Sequence, residues 1–563
     1  MAIIFSNPHS LPNPHNGFCS KTLTFHSLRP PSLLPPHSTH LSVTDFIFSL
    51  NTTTTTTKTA SLIDAITRHI IPYTDVKLLV RNLATSLHRK PISLTQGECA
   101  FIVSHNSSYL PIIYLSLFSI GVTVSPANPS SSIHELSRQI QICKPSIVFV
   151  SSQSVHKVLK INNKPNRIVV IESNEFESMM RTDQSVENEA KIDISQSDTA
   201  AILYSSGTTG NTKGVRLTHR NIISSIAGAM TAGRKLTSFV KNNRVCLCTV
   251  PYFHVYGFTL CIRMVASGES LVSMARFDMR VMVKAIEEFR VCNMAVAPPV
   301  VVAMVDGNNE GVVKGGDWSS METVFSGGAP LTVAVIRKFK RRFPGVGLVQ
   351  TYGLTETTGA ISRVASPYES TIVGTVGRLI AHCEAKIVDP NTGASLPPMN
   401  HGELWVRGPS IMKGYVDDDK QGINAMVDSG RWLRTGDLCY FDNEGFLFVV
   451  DRLKELIKYK GYQVPPAELE HILHSHPDIT EAAVIPYPDE KAGQVPIGFV
   501  VKRKGSTIDE TQVKDYVAKQ VGCTIQETKK SLFHRFNSKK CTWKGALGKL
   551  VRGLKNGNET CVI

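Results

Sequence analysis

The chain has 563 residues, 42% hydrophobic and 19% charged, enough apolar mass for several packed domains or subdomains. Its net charge of +15 suits an anionic ligand, and without any basic, aromatic-interleaved motif the expected partner is a small anion, not nucleic acid. Twelve cysteines form no C-x-x-C pair or zinc spacing, and no apolar stretch reaches bilayer length, so a zinc module and a membrane span are excluded.

Residues 1–50 are rich in Pro, Ser and His, with Asp45 the only acid. No secretory pattern is present; by composition the segment reads as a transit peptide, while Gly17–Ser20 and Leu28–Pro31 resemble the start of the large domain in the family identified below, which implies an arm that stays on the folded protein. Free thiols and a reducing compartment, cytoplasmic or peroxisomal, are expected. The run Thr52–Thr57 reads as a solvated loop insertion. From Ser61 helix-like and strand-like segments alternate. Strands are expected at Cys99–Val103, Val122–Val124 and Ser146–Val150, a buried helix at Leu110–Ile120, a turn at Pro126–Pro129 and a helix at Ile133–Ile142. That alternation predicts a parallel sheet and an α/β fold. Residues 151–195 read as polar and weakly patterned.

The next stretch is the most informative. Thr199–Tyr204 is a short apolar strand, followed by Ser205-Ser206-Gly207-Thr208-Thr209-Gly210-Asn211-Thr212-Lys213-Gly214, then a helix capped by Thr218. Glycines let backbone N–H groups approach a polyphosphate, hydroxyls add donors, and Lys213 adds charge. This is not a Walker loop, because Lys213 precedes Gly214 and no hydroxyl follows it.

Beyond it, the Val245–Val250 strand runs into Pro251-Tyr252-Phe253-His254-Val255-Tyr256-Gly257, which sets a histidine at a strand's carboxyl end, where α/β sheets place ligands. Arg276-Phe277-Asp278 follows. Val324 to Leu331 is a strand ending in Gly327-Gly328-Ala329, where backbone can lie against a planar ring. Gln350-Thr351-Tyr352-Gly353-Leu354-Thr355-Glu356 offers an aromatic face, hydroxyls and a carboxylate suited to Mg²⁺. Gly402–Gly408 alternates as a structural strand. Asp437 stands ready to accept from paired hydroxyls. Arg452, Lys454, Lys458, Lys460-Gly461 and Gln463 close the series.

Six motifs in this order, over roughly residues 16–521, resemble the adenylate-forming superfamily, and most closely plant 4-coumarate:CoA ligase-like enzymes. The resemblance implies a large ATP- and acyl-binding domain over 1–450 and a small mobile α+β lid over 451–563. It implies two steps: a carboxylate attacks the α-phosphate of ATP to give acyl-AMP and pyrophosphate, and the CoA thiol then displaces AMP. ATP and CoA would be co-substrates, with Mg²⁺ on Glu356, in a protein expected to act as a monomer. Ser205, Ser206, Gly207, Thr208, Thr209, Gly210 and Lys213 would hold phosphates. Gly328, Ala329, Gln350, Thr351, Tyr352 and Thr355 would hold adenine and the α-phosphate. Asp437 and Arg452 would hold the ribose, and Lys454 and Lys458 would face the phosphate and acyl side. His254, Tyr256 and Gly327 would line the acyl pocket, His254 with a catalytic role alongside Lys458 and Gln463. Arg276, Lys460 and Gly461 would serve CoA. The acid itself is open between aromatic and fatty or oxylipin-like. Asn211-Thr212 replaces the family's usual Leu-Pro pair and is expected to face solvent.

The resemblance is expected to stop at Val521. The family's lysine loop is missing there, and Thr528–Lys555 is basic without acids. The segment Asn537–Leu547 can be encoded so that a one-base shift reads Ile-Pro-Lys-Asn-Ala-Pro-Gly-Lys-Val-Leu, which is that loop. The reading is a tail translated out of frame, with Lys544 nearest the displaced adenylation lysine and Lys549 as a second candidate. An impaired ATP- or acyl-adenylate-binding protein is therefore the alternative function. The last residues, Glu559-Thr560-Cys561-Val562-Ile563, match neither a peroxisomal nor a prenylation signal.

Overall fold

The computed structural model describes residues 11–50, 60–181, 192–206, 212–236, 244–305, 307–416, 426–427, 430–459, 462–489, 493–503, 505–520 and 560–562. The threonine run therefore lies outside the described residues. Four sheets, of eight, seven, nine and five strands, carry the described chain.

The seven-stranded sheet has Cys99–Val103 at its heart, buried along its whole length, with Thr123–Ala127 and Ile147–Ser151 parallel on either side. The apolar helix Leu110–Ser119 is buried from Leu110 to Phe118, which explains an apolar run that never meets lipid. Among the described residues no helix is long and apolar enough to cross a membrane. The nine-stranded sheet is parallel through its centre, from Ser61–Asp64 across Ser270–Ser273, Val245–Cys248, Asn293–Val296 and Thr323–Gly327 to Gly347–Leu354. The cysteines whose side chains are described, from Cys19 to Cys439, are free thiols.

Three sequence expectations are corrected. The strand at Val122–Val124 extends through Pro126 and Ala127, which were read as a turn. Its pairing to the Thr199–Ser206 strand is confined to Val124, so the missing N–H of Pro126 interrupts no bond on that side. Residues 151–181, expected to be weakly patterned, carry regular structure, with a strand at Ile168–Ile171 between helices Val155–Leu159 and Asn174–Arg181. Finally, the glycine-rich run joins two strands rather than a strand and a helix. Thr212–Thr218 folds back antiparallel on Thr199–Ser206, and the helix begins only at His219. Thr218 caps it as expected: its Oγ1 accepts from Asn221 N (3.1 Å), while Asn221 Oδ1 accepts from Thr218 N (2.8 Å).

The N-terminal arm is built into the fold. Phe18–Cys19 and Thr24–His26 form a hairpin on the edge of the eight-stranded sheet, against Glu384–Val388. Phe25 is 1% exposed and stacks on Phe441 at 4.1 Å. The five-stranded sheet holds Ile457–Tyr459, Tyr462–Val464, Ile479–Asp489 and Gly493–Lys502. The chain's final strand, Thr560–Val562, adds to its edge against Phe499–Val501. This sheet packs its own core around Ile457, Leu473, Val500 and Val513.

Candidate active site

The antiparallel register places Ser205 directly opposite Lys213. Gly207, Thr208, Thr209 and Gly210 lie outside the described residues, and Ser206 is described in its backbone alone. Two other segments meet the rails. The short strand Gly414–Tyr415 pairs with Val215 and Arg216, and the turn Thr355–Thr357 follows the last central strand of the nine-stranded sheet. Ser205 Oγ donates to Glu356 Oε1 at 2.9 Å, and Tyr415 OH donates to the same oxygen at 3.1 Å. Lys213 Nζ lies 4.8 Å from the centre of the Tyr415 ring, a cation–π contact. Glu356 is thus anchored through one oxygen. Oε2 has no hydrogen-bond donor among the described residues, which suits a cation that takes one carboxylate and completes its shell with phosphates and water. No group of three or more His, Cys, Asp or Glu able to hold a metal occurs among the described residues, so a closed protein cage is not what is built here.

Four residues before Glu356, Tyr352 reaches across to the eight-stranded sheet. Its hydroxyl donates to Asp437 Oδ2 at 2.5 Å. Asp437 is 5% exposed and stands opposite Arg452 in the ladder, whose Nε lies 3.7 Å from Oδ1. Burial pushes the Asp437 carboxyl above its usual range, against the pull of Tyr352 and Arg452. One segment, Tyr352–Glu356, therefore ties Asp437 to the Ser205–Lys213 rails, and Lys213, Glu356 and Asp437 belong to one chain of contacts. Gly353 inside it is obligatory on steric grounds, because an added Cβ would lie 1.9 Å from Gly359 O.

Beside this cluster opens a cavity of about 910 Å³, including its mouth, lined among others by His254, Tyr256, Gly327, Gly328 and Thr351. His254 caps the helix Val255–Ser267, its Nδ1 accepting from Tyr256 N at 3.3 Å. The surrounding protein lowers its pKa, favouring neutral imidazole with the proton on Nε2. Tyr256 donates to Phe325 O at 3.0 Å, fixing its ring in the wall.

Other expected residues stand apart. Gln350 gives its amide to Thr375 O at 3.1 Å and does not line the cavity. Thr355 is buried, and Ala329 is exposed beside Gly328. Arg276 is exposed and bonds His105 Nε2 at 3.3 Å, away from the cavity lining. Lys454 and Lys458 are exposed, Lys454 in the turn before the five-stranded sheet and Lys458 on it, where it pairs with Gln463, whose backbone alone is described. Lys460, Gly461, Lys544 and Lys549 lie outside the described residues.

Three residues escaped the sequence reading: Tyr415 under Lys213, and Arg263 and Arg363 in the cavity wall. Tyr415 follows the hairpin by some two hundred residues, so no local spacing pointed to it. The arginines sit inside apolar segments, and that oddity was the available signal.

A profile of the AMP-binding enzyme family matches residues 52–416, and one of the AMP-binding enzyme C-terminal domain matches residues 468–529. The chain belongs to the AMP-binding enzyme family. Within this family it is 47% identical over 525 residues to 4-coumarate--CoA ligase-like 9 of Arabidopsis thaliana, covering 92% of each chain. It is 41% identical to peroxisomal OPC-8:0-CoA ligase 1 of the same plant, over 90% of this chain and 92% of the relative. An AMP-binding enzyme of solved structure, o-succinylbenzoate CoA synthetase of Bacillus subtilis with its acyl-adenylate OSB-AMP, superposes with a TM-score of 0.70 at 25% identity, over 85% of this chain and 92% of that one. ATP-bound MatB of Rhodopseudomonas palustris shares the fold at TM-score 0.74, 24% identical, over 86% of this chain and 93% of that one. The chain is thus an acid–thiol ligase of the 4-coumarate:CoA ligase-like group, with the α/β adenylate-forming fold. The C-terminal match runs to 529, eight residues past the expected boundary at Val521, and stops short of most of the basic tail.

Proposed function

We propose that the protein joins a carboxylic acid of hydroxycinnamate-like or fatty, oxylipin-like type to CoA through an acyl-adenylate. The observation that carries this is the junction of Ser205, Glu356, Tyr415 and Lys213 beside a largely apolar cavity capped by His254. A relative is named for OPC-8:0 and others for 4-coumarate, which supports both acid classes.

In the first step the substrate carboxylate oxygen attacks the α-phosphorus and pyrophosphate leaves. Lys213 and the hairpin amides hold the charge that develops on the phosphate oxygens. Mg²⁺, on Glu356, would neutralise phosphate charge. Asp437, steadied by Tyr352, accepts from the ribose hydroxyls, and Arg452 keeps that carboxylate charged. His254 offers an Nε2–H at the acyl end and, being neutral, does not pair with the acid as an ion. In the second step the CoA sulfur attacks the acyl carbonyl and AMP leaves. Arg276, Lys460 and Gly461 are proposed for CoA. Residues 1–450 would form the ATP- and acyl-binding body and 451–563 a lid carrying Lys454, Lys458 and Gln463. The protein would act as a monomer, in the cytoplasm or in peroxisomes, where one relative is placed by its name.

A second reading, an impaired acyl-adenylate-binding protein, is favoured by the tail, which lacks the family's lysine loop. The experiment measures pyrophosphate release with ATP, Mg²⁺ and a panel of acids, and thioester formation from supplied acyl-AMP and CoA. Both are run on the natural chain and on a version with the displaced frame restored. Expected are slow adenylation by the natural chain, thioester formed from supplied acyl-AMP, and adenylation faster by about 100-fold or more after restoration, the scale of one lost transition-state charge. No activity in either version refutes the ligase reading. Full activity in the natural chain refutes the reading of the tail.

A further inference from the structure

The wall of the acyl cavity holds two cations that none of the proposed steps uses. Arg263 projects from the helix His254 caps, and Arg363 ends the strand Gly359–Arg363. The rest of that wall is largely apolar, including Ile226, Val255, Leu260, Phe325 and Ile380. Arg363 is 6% exposed, its guanidinium 5.7 Å from the centre of the Phe325 ring, and its Nε is buried with no hydrogen-bond partner. Arg263 is half-buried.

Neither guanidinium has a carboxylate within ion-pair distance among the described residues. The nearest candidate, Glu369, is already committed. Arg29 grips both its oxygens, at 2.6 and 2.7 Å, and Ala365 N donates to it at 2.6 Å. Arg29 also donates to Arg363 O at 3.0 Å, which brings a third guanidinium near without relieving the other two. Burial and the neighbouring Arg263 and Arg29 lower Arg363 to about 9, so it stays charged at neutral pH. A buried guanidinium with no counter-charge is costly to keep out of water, and an anion that meets it removes that cost.

Their position indicates which anion. Arg263 lies nine residues beyond His254 on one helix, ~13 Å along its axis. Arg363 stands opposite Thr351 in the ladder, three residues and ~10 Å along the strand from Leu354, where the turn bearing Glu356 begins, so the pair faces the part of the cavity away from Glu356, on whose side the reacting carboxylate belongs. We propose that the acid activated here carries a second carboxylate at its far end, clasped by Arg263 and Arg363. This rests on the acyl-adenylate reading above. A guanidinium fork matches a carboxylate at two points, which an apolar chain end cannot exploit.

The test uses non-hydrolysable sulfamoyl-adenosine conjugates of octanoic acid and of octanedioic acid, titrated by calorimetry into the full chain. They probe binding whether or not adenylation is fast. The diacid conjugate is expected to bind about 10-fold or more tighter, the scale of a charge-assisted pair. In R263Q, and in R363K as a variant that keeps the charge but loses the fork, the ratio of the two affinities is expected to collapse toward one. Because the ratio is taken within one variant, a general loss of folded protein does not mimic it. Equal binding of the two conjugates by the natural chain, or a ratio unmoved by R263Q and R363K, overturns the second-carboxylate proposal alone. Binding of neither conjugate overturns the acyl-adenylate reading and this proposal with it.

Discussion

Acid should loosen this protein through His219, the first residue of the helix after the glycine-rich hairpin. His219 is 1% exposed; its Nδ1 accepts from Val43 N at 3.1 Å, and its ring meets the Phe118 ring at 5.9 Å. Burial outweighs the attraction of Asp198 and Asp45 and lowers its pKa from 6.5 to about 4. Between those values the unfolded chain takes a proton that the folded protein refuses. The contribution is therefore complete above pH 6.5 and is lost as pH falls toward about 4. At 1.36 kcal/mol per pKa unit the loss amounts to ~3 kcal/mol. With an unfolding entropy of about 2.1 cal/mol/K per residue over roughly 400 residues, this is a fall of ~4 °C in Tm. The assay compares Tm at pH 7 and pH 4 for the natural chain and for H219N, whose Oδ1 can still accept from Val43 but does not titrate. The natural chain is expected to lose ~4 °C more than H219N. Parallel pH profiles would refute the argument.

Two further predictions concern the site. G353A would drive a Cβ to 1.9 Å from Gly359 O and 2.5 Å from Gly359 C, backbone atoms that cannot step aside. A destabilisation above ~4 kcal/mol is expected, seen as loss of soluble, protease-resistant protein, and a normally resistant G353A would contradict it. D437N keeps the shape but removes the charge beside Tyr352 and Arg452. Hydrogen bonds to a charged group contribute about 1.5–3 kcal/mol, so the ATP Kd should rise about 10- to 100-fold with little change in Tm; an unaltered Kd would take the ribose role away from Asp437.

Much of this was legible in the residues. Parallel strands announce themselves as short, wholly apolar runs, and Cys99–Val103 and Ile147–Ser151 are buried as such runs demand. The motif residues carried their chemistry in their types: a lysine among glycines, a carboxylate after a tyrosine. The hairpin was misread because Val215–Thr218 is too short a run to tell a strand from the start of a helix. Gln350 shows a different limit. A polar residue in a motif can serve the scaffold, as its bond to Thr375 does, and sequence order carries no information on which way a side chain turns. Tyr415 became visible only once distant strands were laid side by side, whereas Arg263 and Arg363 were legible as charges inside apolar segments, with nothing local to say that they share one cavity.

The hairpin that carries Ser205 and Lys213 has an arithmetic of its own. Side chains on its rails alternate between two faces, so the tip can lengthen or shorten while the lysine stays aimed as long as the rails keep step. A single residue added between Lys213 and Val215 would turn the lysine to the opposite side without altering one amino acid of the motif. Variation in this region should therefore gather at the turn and spare the rails, and a homologue with an odd slip there would have a full set of motif letters and an idle grip.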